Sequence, residues 1–238
     1  MSRLVRAELV KLRTVRSGLW IAIGTLGLVG ISAVSVVASS GTIENAGDDR
    51  SVARISAIAV LFALVLGIVV SGGEGTHGTI TQTFLVAPVR ERVLFAKALV
   101  AAAVGVALGV LAEALTLVVA VPGASLSLHN SRLVLVGVLI ACGAAAALGA
   151  GLGALYHRQG PALISAFVWL LIAESVLAIG LHSRVKYLPG HVFAAAVSGT
   201  RAPSTNDVLG TWPGAVGSML YAAAFVFAGG VFLLRRDV

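Results

Sequence analysis

The chain has 238 residues, of which 58% are hydrophobic and only 11% charged, with 28 glycines and a mean hydropathy of +1.00. A water-facing domain carries about 25% charged residues, so this composition excludes a soluble globular protein and leaves a polytopic membrane protein. The net charge of +7 does not point to nucleic acid, because the bases sit in short segments between apolar runs, where they record orientation.

The first element is residues 1–17. On a 3.6-residue helix Leu4, Val5, Leu9, Leu12 and Val15 share a face and Arg3, Arg6 and Arg13 lie opposite, the pattern of an amphipathic helix lying in the membrane interface. Its candidate functional charges are Glu8, Lys11, Arg13 and Arg16. Glu8 falls on the apolar side, where it is costly unless paired, and Lys11 at i+3 is within reach. The plainer alternative is a positive-inside anchor. The apolar run that follows, 19–38, is too long for a signal peptide's 7–15-residue core and reads as a first span. A short acidic connection, Gly41 to Arg54, leads to a second span at 55–71.

Next comes Gly73-Glu74-Gly75-Thr76-His77-Gly78-Thr79. Its Gly-x-x-x-x-Gly-Thr spacing resembles a phosphate-binding loop, but that motif needs Lys after the second Gly. Thr79 stands there, and a hydroxyl cannot reach the β- and γ-phosphates, so nucleotide binding by this chain is rejected. What remains is a short polar helix at 76–87, stopped by Pro88. With Thr81 and Gln82 polar and Phe84 and Leu85 apolar, it suits docking into a partner's groove, and an ordinary loop is an equal reading.

Four further spans follow at 93–121, 133–156, 161–181 and 212–234, with a loop at 182–211 whose stretch His191 to Ser198 reads as a short helix on the outer surface. Glu113 and Glu174 fall inside spans, where carboxylates suggest a functional site by default. Both count back about two turns from a span end, so a structural role near the outer boundary is an equal reading. Gly105 and Gly109, Gly149 and Gly153, and the Gly24, Gly27, Gly30 series permit close helix approach. A lone cysteine, Cys142, excludes a disulfide framework, and no metal-hydrolase or nucleophile-elbow motif is present.

With the N-terminus inside, eleven Lys and Arg fall on the inner side and six on the outer. The positive-inside rule therefore places both termini in the cytoplasm.

In order and spacing these features resemble the ABC-2 type permease family, the membrane subunits of ATP-binding-cassette exporters. The resemblance rests on Arg6-Ala7-Glu8-Leu9-Val10-Lys11-Leu12-Arg13-Thr14-Val15-Arg16-Ser17, and on Gly73-Glu74-Gly75 leading to Gly78-Thr79-Ile80. Ala87-Pro88-Val89-Arg90 with Lys97, Glu174 followed by Tyr187-Leu188-Pro189, and the terminal Arg235-Arg236-Asp237-Val238 complete it. It implies an all-α membrane protein forming one domain over 1–238. That domain has six transmembrane helices, an N-terminal interfacial helix and a cytoplasmic coupling helix between spans two and three. Residues of that coupling segment, Glu74, Thr76, His77, Thr79, Thr81, Gln82, Phe84 and Leu85, would meet an ATP-binding-cassette ATPase subunit that carries ATP and Mg. The permease itself would bind no cofactor and no nucleic acid, catalyse nothing, and pair with a second copy or a paralogue in the lipid of a bacterial plasma membrane. Short outer loops favour a small amphipathic substrate such as an antibiotic or peptide. Two other classes stay open at this point: a membrane anchor or sensor that recruits a cytoplasmic partner, and a proton-driven carrier using Glu113 or Glu174.

Overall fold

A computed structural model describes residues 6–8, 10–11, 16–40, 46–76, 90–124, 128–200 and 209–235, and every regular element among them is helical. In chain order these are α1 (Arg16–Ser40), α2 (Ala46–Ala53), a 3-10 turn (Arg54–Ala57), α3 (Ile58–Thr76), α4 (Arg90–Ala124) and α5 (Leu128–Tyr156). After them come α6 (Gln159–Val168), a π-helical turn (Trp169–Ala173), α7 (Glu174–Leu181), a 3-10 turn (His182–Tyr187), α8 (Pro189–Ala196) and α9 (Thr211–Arg235). Residues 6–8 and 10–11 are also helical.

Six helical stretches are long and apolar enough to cross a bilayer: Arg16–Ala38, Arg50–Gly73, Arg92–Val121, Ser131–Tyr156, Gln159–Leu181 and Thr211–Phe232. This is the number read from the sequence. Six crossings put the N-terminal segment and the end of α9 on one face, called here the N-terminal face. The ends of α1, α4 and α7 and the starts of α2, α5 and α9 would then share the opposite face. At 35 residues, α4 is about 52 Å long, so it exceeds a ~30 Å hydrocarbon core and must tilt or project.

The centre of the bundle is α5. Within its apolar 18-residue core 67% of residues are buried, against 17% for α1 and for the α6–α7 span. The cause is side-chain size. Lipid tails are as apolar as leucine, so helices associate in a bilayer through close packing and not through removal of apolar surface from water. Small residues at Ala141, Ala145, Ala146, Ala150 and Ala154, interleaved with glycines, let neighbours approach α5 on several sides. A Cβ on Gly149 would run into Leu64 O of α3, and one on Gly105 of α4 would lie 2.6 Å from Cys142 O of α5. On Gly151 it would meet Phe225 C of α9 at 2.5 Å. The spacings at 105/109 and 149/153 are therefore helix contacts, whereas Gly24 and Gly27 of α1 have nothing within 4 Å of such a Cβ.

Two tight connections complete the frame. His157 ends α5 with φ +56° and donates its backbone N–H to Gly153 O at 3.0 Å, a left-handed helix cap. Arg158 is extended and α6 begins at Gln159. At the other end Pro189 opens α8, where its missing N–H costs nothing. The short helix expected at 191–198 is instead Pro189–Ala196, and it does not merely lie on the surface. Val192, Ala195 and Ala196 are buried, and a Cβ on Gly214 of α9 would meet Ala196 N.

Candidate functional site: the N-terminal face

The connection between α3 and α4 was singled out in the sequence as a docking segment. His77, Thr79, Thr81, Gln82, Phe84 and Leu85 lie outside the described residues, as does Arg13. The two ends of the connection are described. α3 continues through Glu74 to Thr76, so these two residues belong to the last turn of the second spanning helix. α4 resumes at Arg90.

Each end is held by a polar contact to another part of the fold. On the α3 side Gln159 Nε2 donates to Val69 O at 3.3 Å. A Cβ on Gly72 would lie 3.1 Å from Gln159 N, so the final turns of α3 rest on the start of α6. On the α4 side Lys97 Nζ donates to Glu8 Oε2 at 3.3 Å. The other carboxylate oxygen, Oε1, accepts from Lys11 Nζ at 3.2 Å. Glu8 and Lys97 are each only 6% exposed.

The Glu8–Lys11 pair is the one that spacing suggested. The Glu8–Lys97 pair spans 89 positions, and no local pattern connects the two. What the sequence did contain was a lysine within an apolar run and a carboxylate on an apolar helix side, each costly unless paired. Both costs are met by one contact, which ties the N-terminal segment to α4 less than three turns after the docking segment ends. Arg16 opens α1 and is exposed.

The intramembrane carboxylates differ from each other. Glu174 is buried and fully engaged. Its Oε1 accepts from Trp169 Nε1 at 3.0 Å and from the backbone N–H of Gly190 at 2.6 Å, while Oε2 lies 3.4 Å from His191 Nδ1. Gly190 and His191 are in the first turn of α8, where backbone N–H groups have no helical partner, so Glu174 caps α8 from a different helix. The π-turn at Trp169–Ala173 immediately precedes it and Trp169 donates to it. Tyr221 of α9 donates to Tyr187 O at 2.6 Å, holding the strand of chain that enters α8. The Glu174 and Tyr187-Leu188-Pro189 pieces of the sequence pattern thus form one structural unit.

Glu113 is buried, and its Oε1 has no hydrogen-bond partner. One turn earlier, a Cβ on Gly109 would lie 3.3 Å from Cys142 Cβ. Cys142 is about 16 Å along α5 from Ser131 and about 21 Å from Tyr156 at 1.5 Å per residue, so Gly109 lies near mid-span. Glu113 is only about 6 Å further toward the opposite face.

A family model described as ABC-2 family transporter protein matches residues 4–183. The match begins with the segment that carries Glu8, takes in α1 to α7 with Lys97, Glu113 and Glu174, and ends before α8. No curated protein matches the chain significantly.

Proposed function

We propose that this chain, which belongs to the ABC-2 family of transporter proteins, is the membrane-spanning permease subunit of an ATP-driven exporter. Such subunits work with a separate ATP-binding-cassette ATPase, and here that partner would supply ATP, Mg and hydrolysis. Two permease subunits, identical or paralogous, would form the pathway for a small amphipathic substrate such as an antibiotic or peptide, moved outward. The N-terminal face is the cytoplasmic one in this reading, in a bacterial plasma membrane, with residues 1–17 as the interfacial helix and 76–87 as the coupling helix.

The observation that supports the coupling role is that both helices flanking the α3–α4 connection are tied to other parts of the fold. A segment that receives force from an ATPase must pass it to the bundle. Gln159 on Val69 O and Lys97 on Glu8 give it two stiff attachments, one to the α5–α6 hairpin and one to the N-terminal segment. The test is Phe84→Ala in the full chain co-expressed with its ATPase. Loss of one buried aromatic at an interface hot spot costs ~2 kcal/mol or more, roughly a thirtyfold loss in docking. The permease should stay folded while ATPase recovery and substrate-stimulated hydrolysis fall. Gly78→Pro should be no milder. Normal pull-down and export with both variants would remove the coupling assignment.

The unpartnered Oε1 of Glu113 favours one second reading, a carrier driven by protons. Export that stops without ATP but persists under a collapsed proton gradient excludes it. An anchor or sensor, in contrast, would show no effect of any substrate on the ATPase rate.

A further inference from the structure

On the face opposite the N-terminal segment, four parts of the chain meet: the α2–α3 junction, the start of α5, the turn after α8 and the start of α9. Gly199 forms the turn with φ +71°, and a Cβ there would collide with Val134 Cγ2 at 2.5 Å and touch Arg50 Cδ at 3.5 Å. Arg50 is thus laid across the turn. Arg54, four residues later and so on the same side of the helix, donates from Nη2 to Ser198 O. Thr211 N–H closes the loop onto Thr200 O at 2.9 Å.

Two features of this cluster are unfinished. Arg50 Nε is buried with no hydrogen-bond partner. Among the described residues the ion pairs lie at Glu8 and Glu174, and neither involves Arg50 or Arg54. The second feature is a proton count. Ser198 Oγ contacts Thr200 Oγ1 at 2.8 Å and Thr211 Oγ1 at 3.3 Å. Three hydroxyls carry three protons, and their two mutual contacts use two, so one donor is left over. Two guanidinium groups and a spare hydroxyl donor around one turn, with a buried N–H unanswered among the described residues, suit an acceptor with negative charge.

We infer that Arg50, Arg54 and the Ser198–Thr200–Thr211 hydroxyls form a binding site for a phosphate group. Guanidinium presents paired N–H donors that match phosphate oxygens, and a bound oxyanion removes the cost of a buried donor left without an acceptor. The phosphate could be carried by a phospholipid headgroup at the bilayer boundary or be free in solution. The site lies on the outer face under the orientation proposed above, but its binding test does not depend on that orientation or on export.

The experiment uses the delipidated full chain in detergent, titrated calorimetrically with dioctanoyl phosphatidylglycerol, dioctanoylglycerol and inorganic phosphate. Phosphatidylglycerol should bind and dioctanoylglycerol, which lacks the phosphate, should bind at least tenfold more weakly. Arg50→Gln should weaken phosphatidylglycerol binding at least tenfold, and Arg50→Gln with Arg54→Gln should abolish it. Inorganic phosphate that binds alone, and less well to Arg50→Gln, identifies a free-anion site; phospholipid binding without it identifies a headgroup site. Arg54 also holds the turn, so its variant can lose structure. Arg50 Nε has no hydrogen-bond partner among the described residues, and Arg50→Gln with an unchanged melting temperature is the decisive variant. Equal binding by dioctanoylglycerol, unchanged binding by Arg50→Gln, or no binding of either phosphate compound to the wild type overturns the site.

Discussion

Glu174 holds three groups from two helices, Trp169 Nε1, Gly190 N–H and His191 Nδ1, so its removal should be felt as a lost helix cap. Glu174→Ala should lower the stability of the purified chain by about 1–2 kcal/mol, the usual range for a cap, measured by thermal melting in detergent. Glu174→Gln keeps one acceptor oxygen for Trp169 and Gly190 and should cost less. Glu113 presents the reverse case, because its buried Oε1 has no partner. A neutral amide is cheaper to bury there than a carboxylate, so Glu113→Gln should not destabilise the chain. ATP-dependent export should survive in both Gln variants. Loss of export from normally assembled Glu113→Gln would instead assign that side chain to the substrate or to proton movement.

Between elements, the controlling quantity is the approach distance of helix backbones to α5. Gly149 has Leu64 O of α3 where a Cβ would go, while Gly27 of α1 has open space. Gly149→Ala should therefore push α3 from α5 and cost about 1–3 kcal/mol by overpacking, lowering the melting temperature and the monodisperse yield. Gly27→Ala, at an unconstrained helical position, should be neutral or slightly stabilising, since alanine is the better helix former. Equal effects of the two changes would contradict the placement of α5 at the centre. The Glu8–Lys97 pair acts at this scale too. It is a side-chain contact, but its consequence is that the N-terminal segment is tied to α4.

For the molecule as a whole, parity of the six crossings fixes which loops share a face, and the Lys and Arg distribution proposes which face is cytoplasmic. Single cysteines at Ser2, Pro88, Gln159 and Val238 should resist an impermeant maleimide applied to intact cells, and those at Asp48, Asn130 and Asn206 should react. The background is Cys142→Ser, a mild change in reactivity terms because Cys142 is buried. Labelling of position 88 from outside would invert the topology and with it the site for the ATPase.

The sequence by itself determined the class of the molecule and the number of helices long and apolar enough to cross a bilayer. Those properties depend on local sums, since about 20 consecutive apolar residues span a bilayer whatever surrounds them. It also marked Glu8 as needing a partner and Glu113 and Glu174 as anomalous, because the cost of a charge in an apolar run is local as well. Lys11 was found as the i+3 partner for the same reason. Only the tertiary structure decided that Lys97 is Glu8's second partner, that Glu174 caps α8 while Glu113 is left short of a bond, and that Arg50 and Arg54 close on Gly199. It also decided which glycine pairs carry contacts, for 149/153 meets α3 while Gly24 and Gly27 face open space. Each of these depends on which helix faces which, and in lipid that is set by shape complementarity of small residues across the bundle, a property that no stretch of chain carries alone.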